Sequence, residues 1–328
     1  MDPKSETAPL LLPVTTSLSG AKEPESAKQP HALLGMACVA ASAVCFSVMS
    51  TLVKLDTYSM TSMEAVFWRS SIAGTLNYGV ILYSEQSVAL AREDRLVMFY
   101  RVIAGFCSIA FQFYAISQMV LADASVIIFT SPVITFFLGA CMLHERIDPL
   151  SLLCAVVSFA GLICVVRPAF LFGSSHATAN TDGSWIAVTA GILGAVGQAF
   201  VYVLVRRLKH VNVSVILHYF MAFSTLMSML YMGVFERRFL VPDTVAMWCG
   251  VIGSGVFTFF GQMFLTKGFQ LEKAGIASVM RYLDVVCVFV WDAVFVGERI
   301  NDWSIVGAMI ICSCAIVIAL QKMKAVIK

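Results

Sequence analysis

The stretch ASVMRYLDVVCVFVWDAVFVGERINDWSIVGA, residues 277–308, lies 153 residues after ASVIIFTSPVITFFLGACMLHERIDPLSLLCA, residues 124–155. The register holds without a gap through Glu145/Glu298, Arg146/Arg299, Ile147/Ile300, Ser151/Ser304 and Ala155/Ala308. Apolar matches alone would be cheap, because any two membrane helices resemble one another. A common ASV entry and a common ERI exit at one fixed spacing are harder to obtain by chance. We read the chain as a tandem duplication.

Composition says what was duplicated. The chain has 328 residues, of which 59% are hydrophobic and 13% charged, and its mean hydropathy is +0.85. Soluble domains carry about 25% charged residues, so most of this chain does not meet water. Beyond Pro30 it divides into apolar runs at 32–54, 62–84, 94–117, 121–142, 149–167, 184–206, 213–235, 244–268, 273–296 and 302–320. Each is near the ~20 residues a helix needs to cross a bilayer. The expectation is an all-α polytopic membrane protein with ten transmembrane helices, five in a first repeat at 31–168 and five in a second at 183–321. Residues 1–30 are rich in Pro, Ser, Glu, Lys and Thr. They have too little apolar surface to offset their ordering entropy and are expected to form a disordered cytosolic tail.

Lys and Arg set the orientation. With the tail in the cytosol, fourteen fall in cytosolic segments and five (Lys54, Arg167, Arg237, Arg238, Arg299) on the other side. Such a positive-inside bias over short loops places both termini in the cytosol. Because five is odd, the second repeat then enters the membrane inverted, and the two ERI exits fall on opposite sides. Inverted repeats related by a two-fold axis in the membrane plane are a transporter architecture, with solute bound near mid-membrane between the halves.

Three cations are left inside predicted spans: Arg69, Arg101 and Arg281. A charged side chain near a helix centre costs about 2.5–3.5 kcal/mol on insertion scales. Arg281 and Asp284 are three apart, on one helical face, and can pair. A structural ion pair is one reading of them. It leaves Asp292 unmatched, about three turns along the same face, so the ninth span faces either a wet cavity or a further cation, for which Lys267, Arg101 and Arg69 are candidates. Arg69 and Arg101 can also snorkel to the interface, and Lys267 can be an interfacial anchor. Tyr282 and Gln112 are candidate hydrogen-bonding liners. At the equivalent depth of the fourth span Ser131 aligns with Asp284, and the neighbouring Pro132 removes one helical hydrogen bond and bends the helix, tolerable in lipid where neighbours or cavity water satisfy the freed carbonyl. Both copies therefore break the apolar pattern at one depth. The glycine-rich GILGAVG and GVIGSG stretches suit close helix approach.

These residues resemble the drug/metabolite transporter superfamily in its ten-helix EamA form, and most of all the G-type members of solute carrier family 35. The resemblance covers roughly residues 32–320 and is carried by SVMSTLVK, EAVFWRS, LADASVIIFTSPVITFF and LTKGFQLEKAGIASVMRYLDVV. It implies a 5+5 inverted-repeat bundle with a central cavity and alternating access, the solute being exchanged or coupled to an ion. It implies no particular solute, since the superfamily spans amino acids, nucleotide sugars, phosphorylated sugars and organic acids. The GALNK-like stretch of GDP-mannose carriers is absent from the sequence.

The functional expectation is a secondary transporter for a small polar metabolite, an organic anion being favoured by the arginines. The alternative from another class is a non-transporting regulatory or scaffolding membrane protein on a carrier fold. Enzyme chemistry has no support: HERID lacks a second acid or ligand partner, Ser254 has no evident base, and His218 stands alone. No cofactor and no metal site is expected, since the ten cysteines lie almost singly in apolar runs without a C-x-x-C spacing and read as small buried hydrophobes. A net charge of +2 gives no field for nucleic acid. The expected partners are a small-molecule solute and the lipid bilayer, with a homodimer left open. The membrane is the plasma membrane or an endomembrane. ETAPLL, with Glu6 four residues before the Leu10–Leu11 pair, has the spacing of an acidic dileucine signal for endolysosomal delivery, a short pattern that also arises by chance.

Overall fold

A computed structural model describes residues 31–56, 60–168, 171, 184–236, 239, 241–291, 294 and 302–327. The first half contains α1 (Ala32–Asp56), α2 (Ser62–Tyr83), α3 (Arg92–Gln118), α4 (Leu121–Ile128), α5 (Ser131–Leu143) and α6 (Pro149–Val166). The second contains α7 (Ser184–Arg207), α8 (Val213–Tyr231), α9 (Val245–Leu271), α10 (Ala274–Val279), α11 (Leu283–Trp291) and α12 (Asp302–Ile327). A π-helical turn, Met232–Glu236, extends α8, and a 3₁₀ turn, Met280–Tyr282, joins α10 to α11. Tail residues 1–30, Asp292 and the second ERI, Glu298 to Ile300, lie outside the described residues.

Polar side chains start several helices where the sequence supplies them. Thr61 and Glu64 form a capping box on α2, Asp148 caps α6, Asn212 caps α8 and Thr244 caps α9, each satisfying a first-turn N–H that has no helical partner.

Among the described residues nine segments are long and apolar enough to cross a membrane, α4–α5 and α10–α11 each counting as one broken span. The remaining predicted span, α2, has 22 residues but carries Glu64, Arg69 and Asn77. Two of these polar groups are turned inward: Glu64 is 2% and Asn77 0% exposed, and Asn77 Nδ2 donates to the Ser214 carbonyl at 2.9 Å. The segment looks less apolar because its polar groups serve the bundle rather than the lipid.

The duplication reappears in three dimensions. Arg92 and Val245, Leu121 and Ala274, and Pro149 and Asp302, the first residues of corresponding helices, are each 153 apart. Helix pairing follows a two-fold axis: α1 packs on α9 as α3 packs on α7, α9 on α2 as α3 on α8, and α1 on α11 as α5 on α7, while α6–α12 and α2–α8 pair across the axis. At the α6–α12 seam the backbones meet, so that a Cβ on Gly307 would strike the Gly161 carbonyl and come within 3.0 Å of the Val165 nitrogen. No larger residue fits without moving main chain.

Both the fourth and the ninth span break at the same depth. Between α4 and α5 the Val133 N–H turns to the Thr130 carbonyl at 3.0 Å instead of continuing the ladder to Phe129. The stranded Phe129 carbonyl accepts the Tyr282 hydroxyl at 3.1 Å. Phe129 and Tyr282 are counterparts at the 153-residue offset, so this bond lies where the two repeats meet. Pro132 sits in the first turn of α5 rather than inside a continuous helix. There its missing N–H costs little, and the interruption itself falls at Phe129 and Thr130.

Candidate solute-binding site

The broken spans leave a cavity of about 330 Å³ between the repeats, within the range of ordinary small-molecule sites, about 300–1,000 Å³. Its described charged lining is three arginines, Arg69 from α2, Arg101 from α3 and Arg281 from the 3₁₀ turn, against one acid, Asp284 from α11. Arg281 Nη2 donates to Asp284 Oδ2 at 2.9 Å, with both side chains largely buried. Its guanidinium lies 5.0 Å from the Phe46 ring. The pairing is incomplete, since Arg281 Nη1 and Asp284 Oδ1 are buried without a hydrogen-bond partner.

Arg101 does not snorkel. It is 2% exposed, lies 4.5 Å from the Phe220 ring centroid, and leaves Nε and Nη1 buried and unbonded. A cation–π contact of this kind is worth about 0.5–2 kcal/mol and does not satisfy the unused donors. Arg69 is also turned inward, with Nη1 3.8 Å from Met49 Sδ and its guanidinium 5.9 Å from the Phe113 ring. The described lining therefore presents an excess of positive charge and unmet donor capacity inside a membrane protein, where each unmet buried donor costs about 1–3 kcal/mol.

Of the other sequence candidates, Ser131, Pro132 and Gln112 line the cavity. Gln112 is held there by its Nε2 donating to Ser108 Oγ at 2.9 Å. Two candidates lie elsewhere. Tyr282 is 0% exposed and spends its hydroxyl on Phe129, so it supports the break instead of lining the cavity. Lys267 is exposed on α9, outside the lining. Asp292 lies outside the described residues. Sequence reasoning missed Gln198, Gln262 and Tyr202, which also line the cavity. The buried Gln262 Oε1 has no hydrogen-bond partner. Among the described residues no cluster of His, Cys, Asp and Glu could hold a metal ion.

A second void of about 490 Å³ shares Ser50 and Ile116 with the first and continues past Trp68 and Phe113 to Thr61 and Ser62. The cavity thus extends toward the Thr61 end of the bundle. The profile of the EamA-like transporter family matches residues 33–167 and again 185–320. The chain belongs to the EamA-like transporter family. It is 29% identical over 311 residues to human solute carrier family 35 member G1, covering 92% of this chain and 83% of that one. It is 32% identical over 279 residues to the pseudopaline exporter CntI of Pseudomonas aeruginosa, covering 84% and 93%. A solved crystal structure superposes with a TM-score of 0.75 at 17% identity over 90% of this chain and 98% of that one, a likeness of fold. EamA members and these relatives are membrane transporters, not enzymes, which agrees with a solute-binding cavity in a lipid-embedded bundle.

Proposed function

We propose that the chain is a secondary transporter that moves an organic anion by alternating access of its two repeats, 31–168 and 183–321. The observation that carries this reading is the cavity charge among the described residues: three arginines against one aspartate, with unbonded guanidinium nitrogens on Arg101 and Arg281. A guanidinium offers a fixed fork of donors that matches a carboxylate or phosphate in a bidentate way. Arg281 is the principal anchor, and Asp284 holds it while the cavity is empty and yields part of it when the anion arrives. The relatives' names, a solute carrier and an exporter, support a carrier. The Lys and Arg distribution supports placing the end that carries Glu145 and Arg206, with both termini, in the cytosol.

Uptake of carboxylate and phosphate solutes by purified protein in liposomes tests the reading. Arg281→Lys keeps the charge and loses the fork, so it should weaken uptake in a protein that still folds. Arg281→Ala strands Asp284 and should damage both folding and uptake, because breaking a buried pair costs about 3–5 kcal/mol. The double variant Arg281→Ala with Asp284→Ala should recover expression alone. Recovery of uptake as well would show the pair to be structural and end the anchor assignment.

A further inference from the structure

We infer that Glu145 and Arg206, together with the stacked pair Tyr202 and Phe269, form a two-layer gate that closes the cavity at the Glu145 end of the bundle. The inference rests on the alternating-access reading and assigns the residues that perform one half of it.

The outer layer joins both repeats through one carboxylate and one guanidinium. Arg206, in the last turn of α7, donates from Nε to Glu145 Oε1 at 3.1 Å and from Nη1 to the Gln270 carbonyl at the end of α9. Glu145, which follows α5, accepts the Ala274 N–H of α10 at its other oxygen, at 3.0 Å. Four elements therefore end on one ion pair, whose side chains are 9% and 16% exposed. Gln270 completes the tie by donating to the Leu208 and Val211 carbonyls at 3.1 and 2.8 Å.

The inner layer lies on the same two helices, nearer the cavity. Tyr202 precedes Arg206 by four residues, and Phe269 precedes Gln270 by one. Their rings stack with centroids 4.2 Å apart and planes 12° apart, and the two residues are 3% and 0% exposed. Tyr202 lines the cavity and Phe269 does not. The pair is the floor of the cavity on this side.

The duplication supplies a comparison within the same molecule. Helices α1 and α7 begin 152 residues apart, and α3 and α9 begin 153 apart. The counterparts of Tyr202 and Phe269 are therefore Ser50 and Ile116. These are the two residues shared by the central cavity and the void leading to the Thr61 end. Equivalent positions are thus stacked shut on one side and stand at an open junction on the other. An inverted repeat exchanges such arrangements when it switches state, so the stacked pair and its ion-pair cover must part for the cavity to open at the Glu145 end.

The test reads access rather than transport. A cysteine placed by Ile128→Cys in the cavity wall is labelled with an impermeant maleimide applied from either side of sealed vesicles, and residue 128 is quantified by peptide mass spectrometry. In the parent background it should label from the Thr61 end and be protected from the Glu145 end. Adding Glu145→Gln or Arg206→Gln should raise labelling from the Glu145 end by about tenfold or more, the effect of losing a charge-assisted hydrogen bond. Unchanged protection in a folded variant overturns the gate. Should both variants fail to fold, Tyr202→Cys with Phe269→Cys supplies the other arm. An oxidised crosslink there should hold the Glu145 end shut, block uptake and release both on reduction, and continued opening under the crosslink overturns the assignment. Labelling needs no solute, so failure of anion uptake and failure of the gate are separate results.

Discussion

Tyr282→Phe removes one oxygen from a side chain that is fully buried and outside the cavity lining. The structure says what that oxygen does: it donates at 3.1 Å to the Phe129 carbonyl, which the break between α4 and α5 has stranded. Without the phenol, that carbonyl keeps no protein donor among the described residues. Leaving a buried acceptor unsatisfied costs about 1–3 kcal/mol. One kcal/mol moves the melting midpoint of a domain of about 150–250 residues by about 2–4 °C, so the variant should melt roughly 2–12 °C below the parent. Solute affinity should stay within about twofold, the usual reach of a change away from the site. Thermal melts of purified protein with and without solute measure both quantities. A tenfold loss of affinity at an unchanged melting midpoint would refute the placement and return Tyr282 to the cavity wall.

Pro132→Ala restores an N–H in the first turn of α5 and should let α4 and α5 merge, slowing transport while the fold survives; unchanged rate and affinity would reduce Pro132 to packing. Gly307→Ala places a Cβ against the Gly161 carbonyl and the Val165 nitrogen, both main chain, so overpacking should cost about 1–3 kcal/mol. Gly79→Ala meets nothing within 4 Å and should be neutral or gain up to about 1 kcal/mol, and equal melts for the two glycine variants would disprove the seam. Cysteines introduced near Gly20 and after Lys322 should label from the same side of the membrane, and opposite-side labelling would rule out an even number of spans.

The fold was legible because a duplicated membrane chain writes its period twice. The ASV and ERI landmarks carried the register, and the helix starts keep it to within a residue or two. The arginines were legible for an energetic reason: a guanidinium inside an apolar run needs an explanation wherever it falls, and Arg69, Arg101 and Arg281 all face the cavity. Tyr282 misled because it adjoins Arg281 in sequence, whereas successive residues on a 3₁₀ turn point about 120° apart. Gln198 and Gln262 gave little signal, since a neutral amide in a span serves helix contacts as readily as a cavity. The repeat offset could have found the first of them: Gln198 corresponds to Phe46, and both line the cavity. Asp284 was legible as a partner, but that one of its oxygens stays unbonded depends on packing between helices far apart in sequence.

A hydrogen bond has a giver and a receiver, and a two-fold axis admits no such distinction. Yet one bond between the repeats joins two counterparts, one a tyrosine and the other a phenylalanine. Two tyrosines would offer a hydroxyl from each side, and two phenylalanines would leave a carbonyl bare. With one of each, the centre of the bundle is polarised: one repeat always donates and the other always accepts. Under the proposed alternating access, that polarity would not exchange when the halves exchange shapes. On the alternating-access reading, the two end states would then differ at this bond, and a carrier assembled from two copies of one ancestral segment is not obliged to be symmetric in free energy.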